Sequence, residues 1–303
     1  MSQRRAKAEL VGSRTDALAE GEGPLAIIAG GGTLPSALAE AAMARGRVVH
    51  VVAIRGEADE AIAHFPHTWL KWGEVGKLFA TLEDQRCRDL VIIGAVSRPD
   101  LANVKFDFGA IRNLPFLLSL GMGGDDHVLS SVVRFLEAKG YRVHGAGDVA
   151  PELLAGQGML GAKSPSPEDR ADIETAFRVV AALGRLDVGQ AAVVVKGHVL
   201  AVEAAEGTDA MLARCSELRR EGSGRRRAPT GVLAKAPKPG QEERVDLPTI
   251  GPDTVEKAAS AGLAGIAVAA GRVLIAERLA TITAADRHGL FLFGQPWAAE
   301  PDA

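Results

Sequence analysis

Cysteine is nearly absent: Cys87 and Cys215 are the only two in 303 residues. That is too few for a disulfide framework or a thiolate zinc site, and a reducing compartment is expected. Both read as plain core or surface thiols. Aromatic residues make up only 4% of the chain, while a 47% hydrophobic content rests on Ala, Val and Leu. Such a balance fits alternating strands and helices better than a β-sandwich. No apolar run approaches the roughly 20 residues needed to cross a bilayer. Excess charge of one sign is lacking too, the net value being −3, so nothing favours nucleic acid as a partner. Arg4 and Arg5 are followed from Ala6 to Gly23 by a polar, acidic stretch, where an export signal needs an apolar core. Residues 1–23 therefore read as a flexible N-terminal extension of a soluble, cytoplasmic protein.

What remains is long enough for two domains. Leu25 to Ala29 is a short continuous apolar run with the character of a strand buried on both faces. Gly30-Gly31-Gly32-Thr33 breaks it, Leu34, Leu38, Ala41 and Ala42 recur at helical spacing, and Val48 to Ile54 supplies a second strand. A helix over Val75 to Gln85, a third strand at Leu90 to Gly94 and a helix over Val128 to Lys139 continue a doubly wound, parallel pattern. The Gly-, Ser- and Pro-rich stretch from Leu153 to Pro167 marks the boundary. The predicted architecture is α/β, with a Rossmann-like N-terminal domain at 24–155 and a mixed α/β C-terminal domain at 156–303. In the second domain, apolar runs on either side of Gly197-His198 predict a hairpin, and Ile266 to Ile275 predicts another across Gly271. Gly231 to Lys235 and Arg244 to Leu247 read as strands, with helices over Glu168 to Leu183, Ala210 to Arg219 and Pro252 to Ala261.

Several groups of residues suggest chemistry. Gly30-Gly31-Gly32 lies between a buried strand and a helix start, where backbone N–H groups can converge on a phosphate; a tight turn made only for packing is the alternative. It is not the G-x-G-x-x-G fingerprint, and Ala53-Ile54-Arg55 stand where a dinucleotide site needs an acid. Arg98, just past the third strand, can fork onto a phosphate or stay solvated. Asp125 and Asp126 in Gly-Gly-Asp-Asp-His suit Mg²⁺ or ribose hydroxyls, or a helix cap. His64 and His67 are separated by Pro66, which disfavours the helix that would align them as ligands. The basic run Arg219 to Arg227 can touch an anionic membrane surface or a phosphate, or stay a mobile solvated loop. Glu203, Glu206, Thr208 and Asp209 follow an apolar strand, and Lys235, Lys238, Gln241, Arg244 and Asp246 crowd a later one. Mixed cations and carboxylates at strand ends are what phosphoryl chemistry requires, although a surface ion-pair cluster has the same composition.

The segment Val202-Glu203-Ala204-Ala205-Glu206-Gly207-Thr208-Asp209 and the stretch from Lys235 through Val245-Asp246-Leu247-Pro248 to Gly251 resemble the LpxI-type UDP-2,3-diacylglucosamine pyrophosphatases. Ile27 to Leu34 and the Gly-Asp-Asp-His loop resemble the same family, and the likeness runs from about Leu25 to Trp297. It implies Mg²⁺-dependent hydrolysis of UDP-2,3-diacylglucosamine to lipid X and UMP in the lipid A pathway of a Gram-negative bacterium, with substrate held between the domains. It further implies Asp246 as the catalytic or metal-orienting acid, and Lys235, Arg244 and Gln241 as charge stabilisers. Gly31, Gly32, Thr33, Arg98, Asp125, Asp126, Thr208 and Gln241 become substrate contacts, with the metal ligands unassigned. Glu242 stands where relatives are expected to carry Asp, keeping the charge. The diacylated substrate makes transient contact with the inner-membrane surface an expectation, and a homodimer is compatible with the reading. Two other readings stand beside it: a regulatory module that binds a UDP-sugar without turnover, and a nicotinamide-dependent oxidoreductase.

Overall fold

Strand β1 (Leu25–Ala29) is the first described element and leads through Gly30-Gly31-Gly32 into helix α1 (Leu34–Ala44), whose second position is Pro35. Proline is tolerated there because the first-turn N–H groups have no intrahelical partner. The computed structural model describes residues 23–97, 104–113, 125–221 and 228–297, without the side chains of residues 112, 125–127, 220 and 221. The expected extension at 1–22, Arg98, the glycines before Asp125 and residues 222–227 of the basic loop lie outside the described residues.

The chain divides into two compact units, Met1–His144 and Gly145–Ala303. In the first, β1 is followed by β2 (Val49–Ile54), β3 (His67–Leu70), α2 (Val75–Asp84), β4 (Asp89–Ile93), α3 (Phe108–Arg112), α4 (Asp125–Ala138) and β5 (Arg142–Val143). The five strands form one parallel sheet in the order β3-β2-β1-β4-β5. The order reverses on either side of β1, which makes the gap between β1 and β4 the switch point of the sheet. Leu25, Ile27, Val51, Val52, Leu90 and Val91 are wholly buried, as parallel strands covered on both faces require. The third strand of the sheet, β3, was not expected. It begins at His67, whose Nδ1 meets the Phe65 carbonyl oxygen at 2.8 Å.

The second unit begins with α5 (Ala146–Val149). It continues through β6 (Gly158–Met159), α6 (Pro167–Gly184), β7 (Ala191–Val195), β8 (His198–Val202), α7 (Gly207–Glu221), β9 (Val232–Lys235), β10 (Thr249–Ile250), α8 (Pro252–Ser260), β11 (Gly265–Ala269), β12 (Leu274–Ile275), α9 (Arg278–His288) and β13 (Phe291–Gln295). Residues 145–155 pack here: the Ala155 N–H donates to the Val273 carbonyl at 2.8 Å, and Leu154 bridges to Leu274. The main sheet is mixed, in the order β6-β13-β11-β9-β7-β8, with β13, β11 and β9 parallel and β7 and β8 antiparallel.

The hairpin at Gly197-His198 is present as β7–β8. Its loop is Lys196-Gly197 with φ of 51° and 77°, the pair of left-handed residues that a tight two-residue hairpin needs. The Asp172 carboxylate of α6, itself buried, accepts from the Lys196 and Gly197 N–H groups at 2.8 and 2.6 Å. Two other expectations are corrected. Ile266 to Ile275 is no hairpin: β11 joins β9 and β13, while β12 pairs in parallel with β10 in a separate two-stranded sheet. Arg244 to Leu247 is no strand either, but the end of a loop closed by Asp246 N–H donating to the Glu242 carbonyl at 3.0 Å.

Candidate active site

The carboxyl end of β9 carries Lys235, paired across the sheet with Ala191 of β7 and Val268 of β11. Beyond β7, the Glu203 N–H donates to the Ala191 carbonyl at 2.9 Å, so Glu203, Ala191 and Lys235 occupy one cross-sheet row. Glu203 and Lys235 are 6% and 7% exposed. A carboxylate and an ammonium that deep cost several kcal/mol unless their hydrogen bonds are met. They are met through Thr208, in the first turn of α7. Its hydroxyl donates to Glu203 Oε1 at 2.8 Å, and Lys235 Nζ donates to the same hydroxyl oxygen at 3.0 Å and to the Thr249 carbonyl at 3.1 Å. Burial pulls the Lys235 ammonium below the ordinary lysine range, opposed by the negative charges of Glu203, Asp209 and Asp246.

The loop after β9 brings in the remaining groups. Gln241 is 8% exposed, and its amide is engaged at both ends: Oε1 accepts from Lys238 N–H at 2.8 Å, and Nε2 donates to Asp246 Oδ2 at 2.6 Å. The backbone contact fixes which way the amide points, because only oxygen can accept from an N–H. Asp246 is half-buried, its carboxylate turned by that amide. Arg244 forks onto Glu242, with Nε at 2.8 Å from Oε1 and a terminal nitrogen at 2.7 Å from Oε2. Those hydrogen bonds hold the Glu242 carboxyl below its usual range. The Arg244 positive charge is thus substantially neutralised by Glu242, which limits it as the charge stabiliser expected from sequence. Glu243 makes a second such fork with Arg272, so the two pairs brace the loop that presents Asp246. Asp209 pairs with Lys257 of α8.

In the first domain the glycine turn lies at the switch point, but its amides are engaged. The Gly30 N–H donates to the Ile93 carbonyl at 2.9 Å, Gly31 to the Ala95 carbonyl at 2.7 Å, and Gly32 to Asp59 Oδ2 at 2.7 Å. A β-carbon on Gly30 would sit 2.4 Å from the Ala95 carbonyl oxygen, so close approach of two backbones accounts for a glycine there. A phosphate oxygen bound at Gly32 has to displace the Asp59 carboxylate. Thr33 precedes α1 and makes no side-chain cap. Asp125 and Asp126 are the first two residues of α4. Cys87 and Cys215 are buried free thiols, and burial pushes Cys87 up to about 11, which makes it a poor nucleophile.

Of the expected site residues, Thr208, Lys235, Gln241, Arg244 and Asp246 are therefore gathered on the second domain. Gly31, Gly32 and Thr33 lie on the first. Glu203, which the sequence reading places among the acids after the apolar run of β8 without a role of its own, belongs to the same constellation.

The LpxI N-terminal domain family model matches residues 24–153, and the LpxI C-terminal domain model matches residues 156–293. The protein called UDP-2,3-diacylglucosamine pyrophosphatase LpxI from Caulobacter vibrioides is 47% identical over 270 residues, covering 89% of this chain and 96% of that protein. Two domain models in order and a full-length relative at that identity establish that the chain belongs to the LpxI family.

Proposed function

We propose that this chain hydrolyses the diphosphate bond of UDP-2,3-diacylglucosamine, releasing 2,3-diacylglucosamine 1-phosphate (lipid X) and UMP, as a step of lipid A biosynthesis. The observation that carries the reading is Asp246, oriented by Gln241, beside a buried Lys235 ammonium at the carboxyl end of β9. Water adds across the anhydride, one bridging P–O bond breaks, and two phosphomonoesters leave. Negative charge grows on the non-bridging oxygens as this happens. An ammonium already held in a low-dielectric site stabilises that charge without reorganising, while Asp246 supplies the carboxylate that orients the incoming water.

Magnesium belongs to the same reading. Among the described residues no three His, Cys, Asp or Glu side chains converge to hold a metal. The donors fit Mg²⁺ in its more frequent setting, one or two carboxylates completed by substrate phosphates and water. Asp246 is the carboxylate that would hold it, and the ion would neutralise diphosphate charge there. The parallel order β3-β2-β1-β4-β5 supports a Rossmann-like description of the first domain. The absence, among the described residues, of a helix long and apolar enough to cross a membrane is consistent with a cytoplasmic enzyme that meets its diacylated substrate at the inner-membrane surface.

The test is incubation of purified protein with UDP-2,3-diacylglucosamine and Mg²⁺, with UMP release followed for the wild type and for Asp246→Ala. Release by the wild type alone supports the reading. Tight binding with no turnover by either protein would make the chain a UDP-sugar sensor instead.

A further inference from the structure

Glu203 and Lys235 carry opposite charges in one cross-sheet row, yet they are joined through a hydroxyl rather than directly. We infer that Glu203 is a positioning residue for the diphosphate: through Thr208 Oγ1 it aims the Lys235 ammonium without becoming that ammonium's own ion-pair partner. The inference rests on the hydrolase reading above.

The geometry is specific. A threonine hydroxyl has one proton to give, and here it goes to Glu203 Oε1 at 2.8 Å, which turns the oxygen lone pairs toward Lys235 Nζ at 3.0 Å. The ammonium has three protons. One goes to Thr208, one to the Thr249 carbonyl at 3.1 Å, and the third is directed by those two. Ala191 lies between the charged residues in the row.

Glu203 is itself held from both sides. Its Oε2 accepts from the Gln190 N–H at 3.3 Å, and its own N–H donates to the Ala191 carbonyl at 2.9 Å. Gly189 lies against it so closely that a β-carbon there would stand 2.1 Å from the Glu203 carbonyl oxygen. A direct carboxylate–ammonium contact in this buried place would satisfy the lysine and compete with a diphosphate for it. One intervening hydroxyl keeps the negative charge near enough to favour the charged lysine and far enough to leave a proton for substrate. The other charged groups facing Lys235 are Asp246 from the loop after β9 and Asp209 of α7, the latter already paired with Lys257 of α8.

Glu203→Gln preserves size and removes the charge. We expect kcat for UMP release to fall by about 20-fold or more while KM stays within about threefold, the signature of an interaction realised in the transition state. Thr208→Val should lose as much and Thr208→Ser little, since serine restores the hydroxyl. In a Lys235→Met background, Glu203→Gln should cost less than about twofold, because both act through one group. An equal penalty with and without Lys235, or full activity of a folded Thr208→Val protein, would overturn the inference. If Glu203→Gln does not fold, the Thr208 pair decides. Should the wild type release no UMP, the hydrolase reading fails separately. Nitrogen NMR of the Lys235 ammonium then still decides the positioning: titration at lower pH in Glu203→Gln and Thr208→Val supports it, and an unmoved titration refutes it.

Discussion

The Gln241 side-chain amide donates to Asp246 Oδ2 at 2.6 Å while its oxygen accepts from the Lys238 backbone at 2.8 Å. Gln241 is thus the part that transmits the backbone of the Pro237–Gly240 turn to the carboxylate at the centre of the site. The sequence alone suggests a group touching substrate. Both ends of its amide are instead committed to protein, so in the proposed reaction it acts through Asp246.

Replacing Asp246 by Ala should reduce kcat by about 100-fold or more while leaving substrate affinity within a few-fold, because a carboxylate that acts as charge develops contributes little to ground-state binding. Single-turnover kinetics beside equilibrium binding of UDP-2,3-diacylglucosamine make the measurement. The melting temperature should change little, since Asp246 is only half-buried.

Gln241→Glu replaces the donor by a second carboxylate beside Asp246. Like charges at hydrogen-bonding distance cannot both ionise easily, so one carboxyl is pushed upward. The acidic limb of the pH–rate profile should move to higher pH than in the wild type. A limb that stays where the wild type has it would separate Gln241 from Asp246.

Activity should vanish with excess chelator and return with added Mg²⁺, whereas thermal stability should be the same with and without the ion. The second half follows from the described residues, which assemble no three-ligand cage for the metal to brace. Differential scanning calorimetry and UMP release on one sample measure both.

Asp89, 2% exposed at the start of β4, receives both guanidinium arms of Arg142 at 2.8 Å, His144 Nε2 at 2.7 Å and Arg47 at 3.1 Å. Burial acts to raise its carboxyl, but the hydrogen bonds from Arg142 and His144 outweigh it and hold the carboxyl below the usual range. A carboxylate depressed in the folded state adds stability that is complete above its unfolded value near pH 4 and is lost as pH falls through the folded one. Asp89→Asn should cost about 3 kcal/mol at pH 7. Its deficit should shrink as the pH falls below about 4, measured by urea unfolding across that range.

Asp172 holds both N–H groups of the Lys196-Gly197 turn. Asp172→Ala strands them and should destabilise the second domain by about 2 kcal/mol, with Asp172→Asn losing less because one acceptor survives. Denaturant midpoints of the two variants check the order.

Much of the fold is legible in the residues. The apolar runs of β1, β2, β4, β7, β8 and β9 are long enough and continuous enough to name themselves, and Gly197 marks its turn. Partners were the harder question: Gly271 separates two apolar runs that look like a hairpin, but β11 enters the main sheet and β12 a different one. Apolar periodicity reports that a segment is buried, not what it is buried against. Strand β3, four residues beginning at His67, has too little apolar pattern to declare itself.

The site divides in the same manner. Its chemical inventory, acids after β8 and a lysine, glutamine and aspartate after β9, is written in the chain and carries the family likeness. Which acid turns which donor was decided only by the tertiary structure. Glu203 and Lys235 are 32 positions apart in sequence, and only the pairing of β8, β7 and β9 sets them in one row where Thr208 can span them. Composition states which charges are present; hydrogen-bond direction and burial, which depend on distances between strands, determine what each charge can do.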